Sequence, residues 1–190
     1  KALMPASKEF KEKLMNLDVN SYFGPYKDGE YYKLSKVIEV KQLPDSVKVR
    51  HILIPYVGGT RADASITKTQ VEAKETADSI LAQIRGGAKF MDLLDLSSDK
   101  VSNENDGEIE FAFTDSYAPE FRDFSFENKV GDLQVVKTAF GYHIIEILSQ
   151  GERQKAVKVG NLSLPIEPSE QTIDDVYNKT SKFEISNGHN

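Results

Sequence analysis

Along this chain apolar residues recur with a period of two in some stretches and near 3.6 in others, and the two patterns divide it into elements. The run Val47 to Ile54 (Val-Lys-Val-Arg-His-Ile-Leu-Ile) is β-branched and apolar and ends at Pro55 and Gly58-Gly59, which predicts a strand. After Thr69, the residues Ala73, Ala77, Ile80, Leu81 and Ile84 fall at helical spacing. This helix opens with a Thr69-x-x-Glu72 capping box and stops at Gly86-Gly87. Phe90, Met91, Leu93 and Leu94 predict a second, short helix, and the polar segment Ser97 to Gly107 reads as an exposed loop leading to a strand over Glu108 to Ala112. Pro119, a favoured first helical position, starts a third short helix that carries Phe121, Phe124 and Phe126 before Gly131 breaks it. Strands over Gln134 to Lys137 and Tyr142 to Leu148 complete the series.

Strand parity makes two of these elements unusual. His51 shares a face with Val49 and Leu53, and His143 shares one with Ile145 and Ile147, so each histidine sits in a row of aliphatic side chains. Only three histidines exist in the chain. A buried imidazole needs partners for both ring nitrogens, so two of them on core faces point to a shared network between adjacent strands. The order strand, long helix, short helix, strand, short helix, strand, strand describes a small α+β domain with an antiparallel sheet.

Composition narrows the function without naming it. The 190 residues, 39% hydrophobic, suffice for one domain with attachments or two small ones. A formal charge of -6, with no basic cluster interleaved with aromatics, argues against nucleic acid or an anionic membrane surface as partner. No window approaches the roughly 18 apolar residues of a membrane span. The absence of cysteine removes disulfides, thiolate catalysis and Cys-based metal sites, and it suits reducing and oxidising compartments alike.

The ordered pieces from about Val47 to Leu148 resemble the parvulin family of peptidyl-prolyl cis/trans isomerases. Four motifs carry the likeness: Val-Arg-His-Ile-Leu-Ile, the Gly-Gly-x-x-Phe turn at Gly86 to Phe90, Ser-x-Asp at Ser97 to Asp99, and Phe-Gly-Tyr-His-Ile-Ile at Phe140 to Ile145. The resemblance implies a four-stranded antiparallel sheet with about three helices. It assigns His51 and His143 to the paired histidines, Asp99 to the acidic or thiol position beside the reacting amide, and Thr138 to the threonine that hydrogen-bonds the network. The family's proline pocket, usually Leu, Met and Phe, falls on Ile109, Tyr117 and Phe121, with Phe140 beside it, so two of the three are substituted. The usual Gly-Gly-Asp-Leu-Gly-x-Phe turn appears as Asp106-Gly107-Glu108-Ile109-Glu110-Phe111-Ala112, with two glycines lost and the aromatic displaced by one.

What the resemblance implies is isomerisation of X-Pro bonds in unfolded or newly exported polypeptides by non-covalent rotation, with no cofactor. The loop Tyr56 to Ile66 offers Arg61 as its only cation, too little for a doubly charged phosphate, so neutral or apolar neighbours of proline are expected. Other readings stay open at this level. The histidines can be a satisfied core pair without catalytic consequence. A metal bound by His51, Asp99 and His143 is compatible in ligand type, although the long separations are no metal signature. The domain can also be a binding module that holds unfolded chains without rotating them, or a purely structural unit.

The flanks echo the domain. Val157-Lys-Val-Gly-Asn-Leu-Ser-Leu-Pro165 lines up with Val47 to Pro55, Asn161 standing for His51, and a helical stretch from about Ser169 to Phe183 follows. Before the domain, Lys8-Glu-Phe, Gly24-Pro-Tyr and Tyr31 to Ile38 resemble its closing helix and strands. The expected division is an arm over 1–45, the parvulin-like domain over 46–150 and a second arm over 151–190. Strands near Tyr22 to Tyr26, Tyr31 to Val40 and Val157 to Leu164 are expected to form one small sheet, a flanking pseudo-repeat. Parvulin units with such attachments resemble the large bacterial envelope foldases of the PpiD-like and SurA-like kind. That implies a periplasmic or other extracytoplasmic setting, proline-containing polypeptide partners, no nucleic acid, and no membrane contact by this stretch, an anchor being left to the rest of a parent chain.

Overall fold

A computed structural model of the chain describes residues 7–187, with side chains as far as residue 179. In chain order the elements are α1 (Lys8–Met15), β1 (Tyr22–Asp28), β2 (Tyr31–Pro44), β3 (Ser46–Ile54), α2 (Gln70–Arg85), a 3-10 helix (Phe90–Leu96), α3 (Lys100–Asn103), β4 (Glu108–Ala112), α4 (Pro119–Glu127), β5 (Leu133–Lys137), β6 (Tyr142–Gln150), β7 (Arg153–Pro165) and α5 (Glu170–Asn187). They fall into two units, one over Gln42–Ala156 and one that joins the stretch up to Lys41 to the stretch from Val157.

In the larger unit β4, β3, β6 and β5 lie side by side in that order, every pair antiparallel. Alternation along the strands gives the sheet two apolar faces. Ile52, Ile54, Tyr142 and Ile144 face α2, which meets them with Ala73, Ala77 and Ile80. Small residues on α2 let the helix lie close to the sheet. Val47, Val49, Ile145 and Ile147 face the other way, onto Phe121, Phe124 and Phe126 of α4. Phe126, Ile52 and Ile144 are among the side chains with no contact to water. Burial of so many large apolar groups on both faces fixes the register, since a one-residue slip would turn each row to the wrong side.

The capping box is present at both ends: the Glu72 amide donates to Thr69 Oγ1 at 3.3 Å and the Thr69 amide donates to Glu72 Oε2 at 2.7 Å. The helix of the three phenylalanines ends at Glu127, ahead of Gly131. One expectation needs correction. The segment Ser97 to Gly107 is not simply an exposed loop: it contains the single turn α3, and Ser97 and Ser102 are buried. Hydrogen bonding accounts for this, because the Leu53 amide of β3 donates to Ser97 Oγ at 3.1 Å and Ser102 Oγ meets a ring nitrogen of His51 at 3.1 Å. Buried hydroxyls with such partners lose little by leaving water.

In the smaller unit β1, β2 and β7 form a three-stranded sheet in that order, as the flanking echoes predict. On one face Leu14 of α1 packs against Val37 and Val159, with Phe23, Val40 and Val157 around them. The rings of Phe10, Phe23 and Tyr26 cluster there with centroids 4.8 to 5.6 Å apart. Under them the Tyr26 hydroxyl and Ser35 Oγ lie 2.7 Å apart, and Ser35 donates onward to Asn161 Oδ1 at 2.6 Å.

Candidate functional site

Register places the two histidines together. His51 lies opposite Ile145 and His143 opposite Leu53, so the pair are diagonal neighbours on the α4 face of the sheet, continuing the rows Val47-Val49 and Ile147-Ile145. Their rings stack at 5.4 Å with Nδ1 facing Nδ1 at 3.2 Å, and Phe121 presents its ring edgewise to both at 5.4 and 5.2 Å. Both are buried, with 2% and 6% of their surface exposed.

The network runs outward from this contact. His143 Nε2 lies 2.8 Å from Thr138 Oγ1, which also accepts the Phe140 amide at 3.1 Å. At the other end His51 Nε2 lies 3.1 Å from both Asp99 Oδ2 and Ser102 Oγ. Asp99 is the N-cap of α3, accepting the Ser102 amide at 3.3 Å, so the short helix exists to aim this carboxylate. An ionised carboxylate only accepts, which puts the His51 proton on Nε2. Where His143 Nδ1–H donates to His51 Nδ1, His143 Nε2 accepts from the Thr138 hydroxyl. Hydrogen-bond donation then runs one way from the Phe140 amide to Asp99.

Electrostatics fit that assignment. Burial, aided by the neighbouring His51, pushes His143 down to about 3 and keeps it neutral, while the hydrogen bond from His51 holds Asp99 well below the usual carboxylate range. The sign for stability is then fixed. Between pH 6.5 and about 3 the unfolded chain holds a proton on His143 that the folded chain lacks, so stability is complete above 6.5 and falls as the pH drops. Asp99 acts in the same direction lower down, its contribution being complete above 3.8 and lost as the pH falls further. Chemical unfolding at pH 7 and pH 5 should therefore differ by about 2 kcal/mol from His143 alone, at ~1.4 kcal/mol per pH unit. His143→Gln should flatten that slope, and an equal slope in both proteins would contradict the burial argument.

Beside the network opens a cleft of about 450 Å³. Among the residues lining it are His51, Asp99, Ile109, Tyr117, Phe121, Phe140 and His143, so the site residues that the resemblance assigns lie at one place, Thr138 joining through His143. Phe121 is buried, whereas Tyr117 is half-buried and packs on Phe111 and Phe121 with centroids 4.1 and 5.8 Å apart. Burial, and then the nearby Asp115 and Asp99, raise the Tyr117 phenol, so it stays protonated. Arg61 also lines the cleft, its guanidinium 5.9 Å from the Phe140 ring centroid, in a loop pinned by the Thr60 amide donating to Ala139 O at 2.8 Å.

Two features escape the motif reading. Ser102 is a direct partner of His51, and the available signal was the Asp99-x-x-Ser102 capping pattern inside what looked like plain loop. The altered turn Asp106 to Ala112 is also gentler than its lost glycines imply. The retained Gly107 (φ +74°) is the residue that needs no side chain, because a Cβ there would sit 3.0 Å from His51 O and 2.8 Å from Leu94 Cδ1. Asp106 adopts φ +57°, a conformation Asp tolerates, and Glu110 lies in the regular β3–β4 ladder opposite Lys48. Among the described residues no group of three His, Asp or Glu side chains is placed to hold a metal ion.

Comparison with known proteins bears on this geometry. The family model described as a PPIC-type PPIase domain matches residues 32–151. A Chaperone SurA of Aliivibrio fischeri is 30% identical over 148 residues, which is 74% of this chain and 32% of that protein. Another, from Pseudomonas savastanoi, is 34% identical over 111 residues, covering 57% of this chain and 24% of that protein. The chain thus spans at most about a third of the length of these relatives. Among solved structures, the peptidyl-prolyl isomerase ESS1 from Candida albicans superposes with a TM-score of 0.50 at 24% identity, over 55% of this chain and 63% of that one, a likeness of fold.

Proposed function

Since the chain belongs to the PPIC-type PPIase, or parvulin, family, we propose that its Gln42–Ala156 unit catalyses cis/trans rotation of X-Pro bonds in unfolded polypeptides. The observation that carries the reading is the apolar cleft set directly against a closed hydrogen-bond chain that ends in Asp99.

Rotation must overcome amide resonance, a barrier of roughly 18 to 20 kcal/mol, for two isomers that differ by only about 0.5 to 1 kcal/mol. Ile109, Tyr117, Phe121 and Phe140 hold the pyrrolidine ring, and the acyl side turns against it. The planar amide carries more negative charge on its oxygen than the twisted one does. A fixed carboxylate facing that oxygen therefore penalises the planar form more than the transition state, and the barrier falls. His51 and His143 are positioning residues: they lock Asp99 and the β3–β6 face in place and exchange no proton with the substrate. No covalent intermediate and no cofactor enter.

A protease-coupled assay on a series of X-Pro peptides tests this. Catalysis of peptides with neutral or apolar residues before proline is expected, with no gain from a phosphorylated residue, because Arg61 is the single cation on the cleft wall among the loop residues Tyr56 to Ile66. Uncatalysed exchange throughout would sink the enzymatic reading.

A second reading, a module that holds unfolded chains without rotating them, draws on one observation: the Tyr117 ring, stiffer than methionine, stacks over the pocket floor. Tyr117→Met should relieve that, raising kcat/KM a few-fold mainly through KM. A fall in kcat/KM with a raised KM would instead show that the Tyr117 ring holds proline better than methionine does. The kinship with proteins named chaperones supports unfolded polypeptide as the partner in either reading, and the resemblance to envelope foldases supports an extracytoplasmic setting.

A further inference from the structure

The smaller unit repeats the strand plan of the larger one in a different chain order. In the larger unit α4, β5 and β6 follow one another, β3 lies beside β6, and α2 follows β3. In the smaller unit α1, β1 and β2 follow one another, β7 lies beside β2, and α5 follows β7. Residue positions correspond as well. Val157 and Val159 face α1 as Val47 and Val49 face α4. Asn161 bonds across to Ser35 where His51 bonds across to His143.

The opposite faces differ. Ile52 and Ile54, covered by α2, are 0% and 2% exposed, whereas their counterparts Leu162 and Leu164 are 60% and 59% exposed, beside Ile38 and Tyr22 at 49% and 61%. A face of four large apolar side chains in water marks a surface that something covers. The helix that follows β7 fits it. Ser169 caps α5, accepting the Thr172 amide at 3.2 Å as Thr69 accepts that of Glu72. Counted from these caps, Ile173 and Tyr177 stand where Ala73 and Ala77 stand in α2. Those alanines are fully buried; Ile173 and Tyr177 are 54% and 72% exposed. Charge agrees with the apolar match: Lys36 and Lys158 share the strand parity of the open face, and Glu170 and Asp174 share the helical face of Ile173 and Tyr177. The connection Ile166 to Pro168 is of ordinary length for a strand-to-helix turn.

We propose that the open face of the β1-β2-β7 sheet is the seat of α5 of the same chain, which closes over Leu162 and Leu164 through Ile173 and Tyr177 as α2 closes over Ile52 and Ile54. The smaller unit is then a second, permuted copy of the same scaffold, without histidines in its polar network and with α5 as a strap.

Amide hydrogen exchange on the intact chain tests it, because an isolated helix of this length is marginal in water and exchanges nearly freely. The closed strap should slow α5 amides at least tenfold relative to unfolded rates, independently of protein concentration. Leu162→Asp, at an exposed position that the sheet's own packing does not need, should abolish that protection, and Ile173→Asp on the helix should do the same. Both variants should keep β1–β2 amide protection and unchanged isomerase kinetics. Unprotected α5 amides in the parent chain, protection untouched by Leu162→Asp, or protection that grows with concentration and so comes from a second copy, would each overturn the proposal.

Discussion

Asp99→Asn is expected to slow catalysed exchange of a proline peptide by about tenfold to a hundredfold, the range for removing one preorganised electrostatic group from a reacting centre. The substitution keeps the size of the side chain, and its one oxygen can accept either the Ser102 amide or His51 Nε2–H, which in the parent reach separate carboxylate oxygens at 3.3 and 3.1 Å. Charge and one acceptor oxygen are what it removes. The loss should fall on kcat, since the pyrrolidine pocket of Ile109, Tyr117 and Phe121 is untouched. The measurement is the exchange rate at saturating peptide, with circular dichroism to show an intact fold. A rate within twofold of the parent would mean that the carboxylate only caps α3.

Gly141→Ala has the largest expected effect on stability. Gly141 sits between Phe140 and Tyr142 where the chain enters β6, and its carbonyl accepts the Thr138 amide at 2.9 Å. A Cβ there would press into the Ile54 carbonyl oxygen of the neighbouring strand and lie 2.9 Å from Leu53 Cδ1. The backbone neighbour cannot retreat cheaply, because Ile54 O belongs to a paired strand, whereas Leu53 Cδ1 ends a half-buried side chain that can turn aside. The expected cost is about 3 kcal/mol, the upper part of the range for overpacking a filled site. It should show as a lower urea midpoint, and the accompanying shift of Thr138 and His143 should lower activity in whatever fraction stays folded. A change below about 1 kcal/mol would show that the β3–β6 contact is looser than its distances indicate.

Much of this architecture is written in local signals. The helix from Gln70 needs only its capping box and its apolar spacing, and β3 needs only a β-branched run stopped by Pro55, so both emerge with correct bounds to within a residue or two. The meeting of His51 and His143 follows from parity once their strands are neighbours. Ser97 and Ser102 were harder, because their partners Leu53 and His51 lie more than 40 residues away in the chain, and a run of Ser, Asp and Asn looks the same whether its hydroxyls face water or a strand. The glycine turn misleads in the opposite sense: motif comparison counts two losses, while backbone geometry shows that only Gly107 must lack a side chain. The sheet of the smaller unit could be read from the Val-Lys-Val…Pro echo. Its open face could not, since Leu162 and Leu164 look as core-like in sequence as Ile52 and Ile54.

The central claim is that a cleft of aromatic and aliphatic side chains beside Asp99 lowers the barrier to rotation about an X-Pro bond. Two-dimensional exchange NMR on a peptide with a single X-Pro bond, at substoichiometric protein, measures it directly. The account expects cis-to-trans exchange peaks that grow in proportion to the intact chain and are reduced at least tenfold with Asp99→Asn. Peptide resonances that shift on binding while exchange stays at the uncatalysed rate would contradict it.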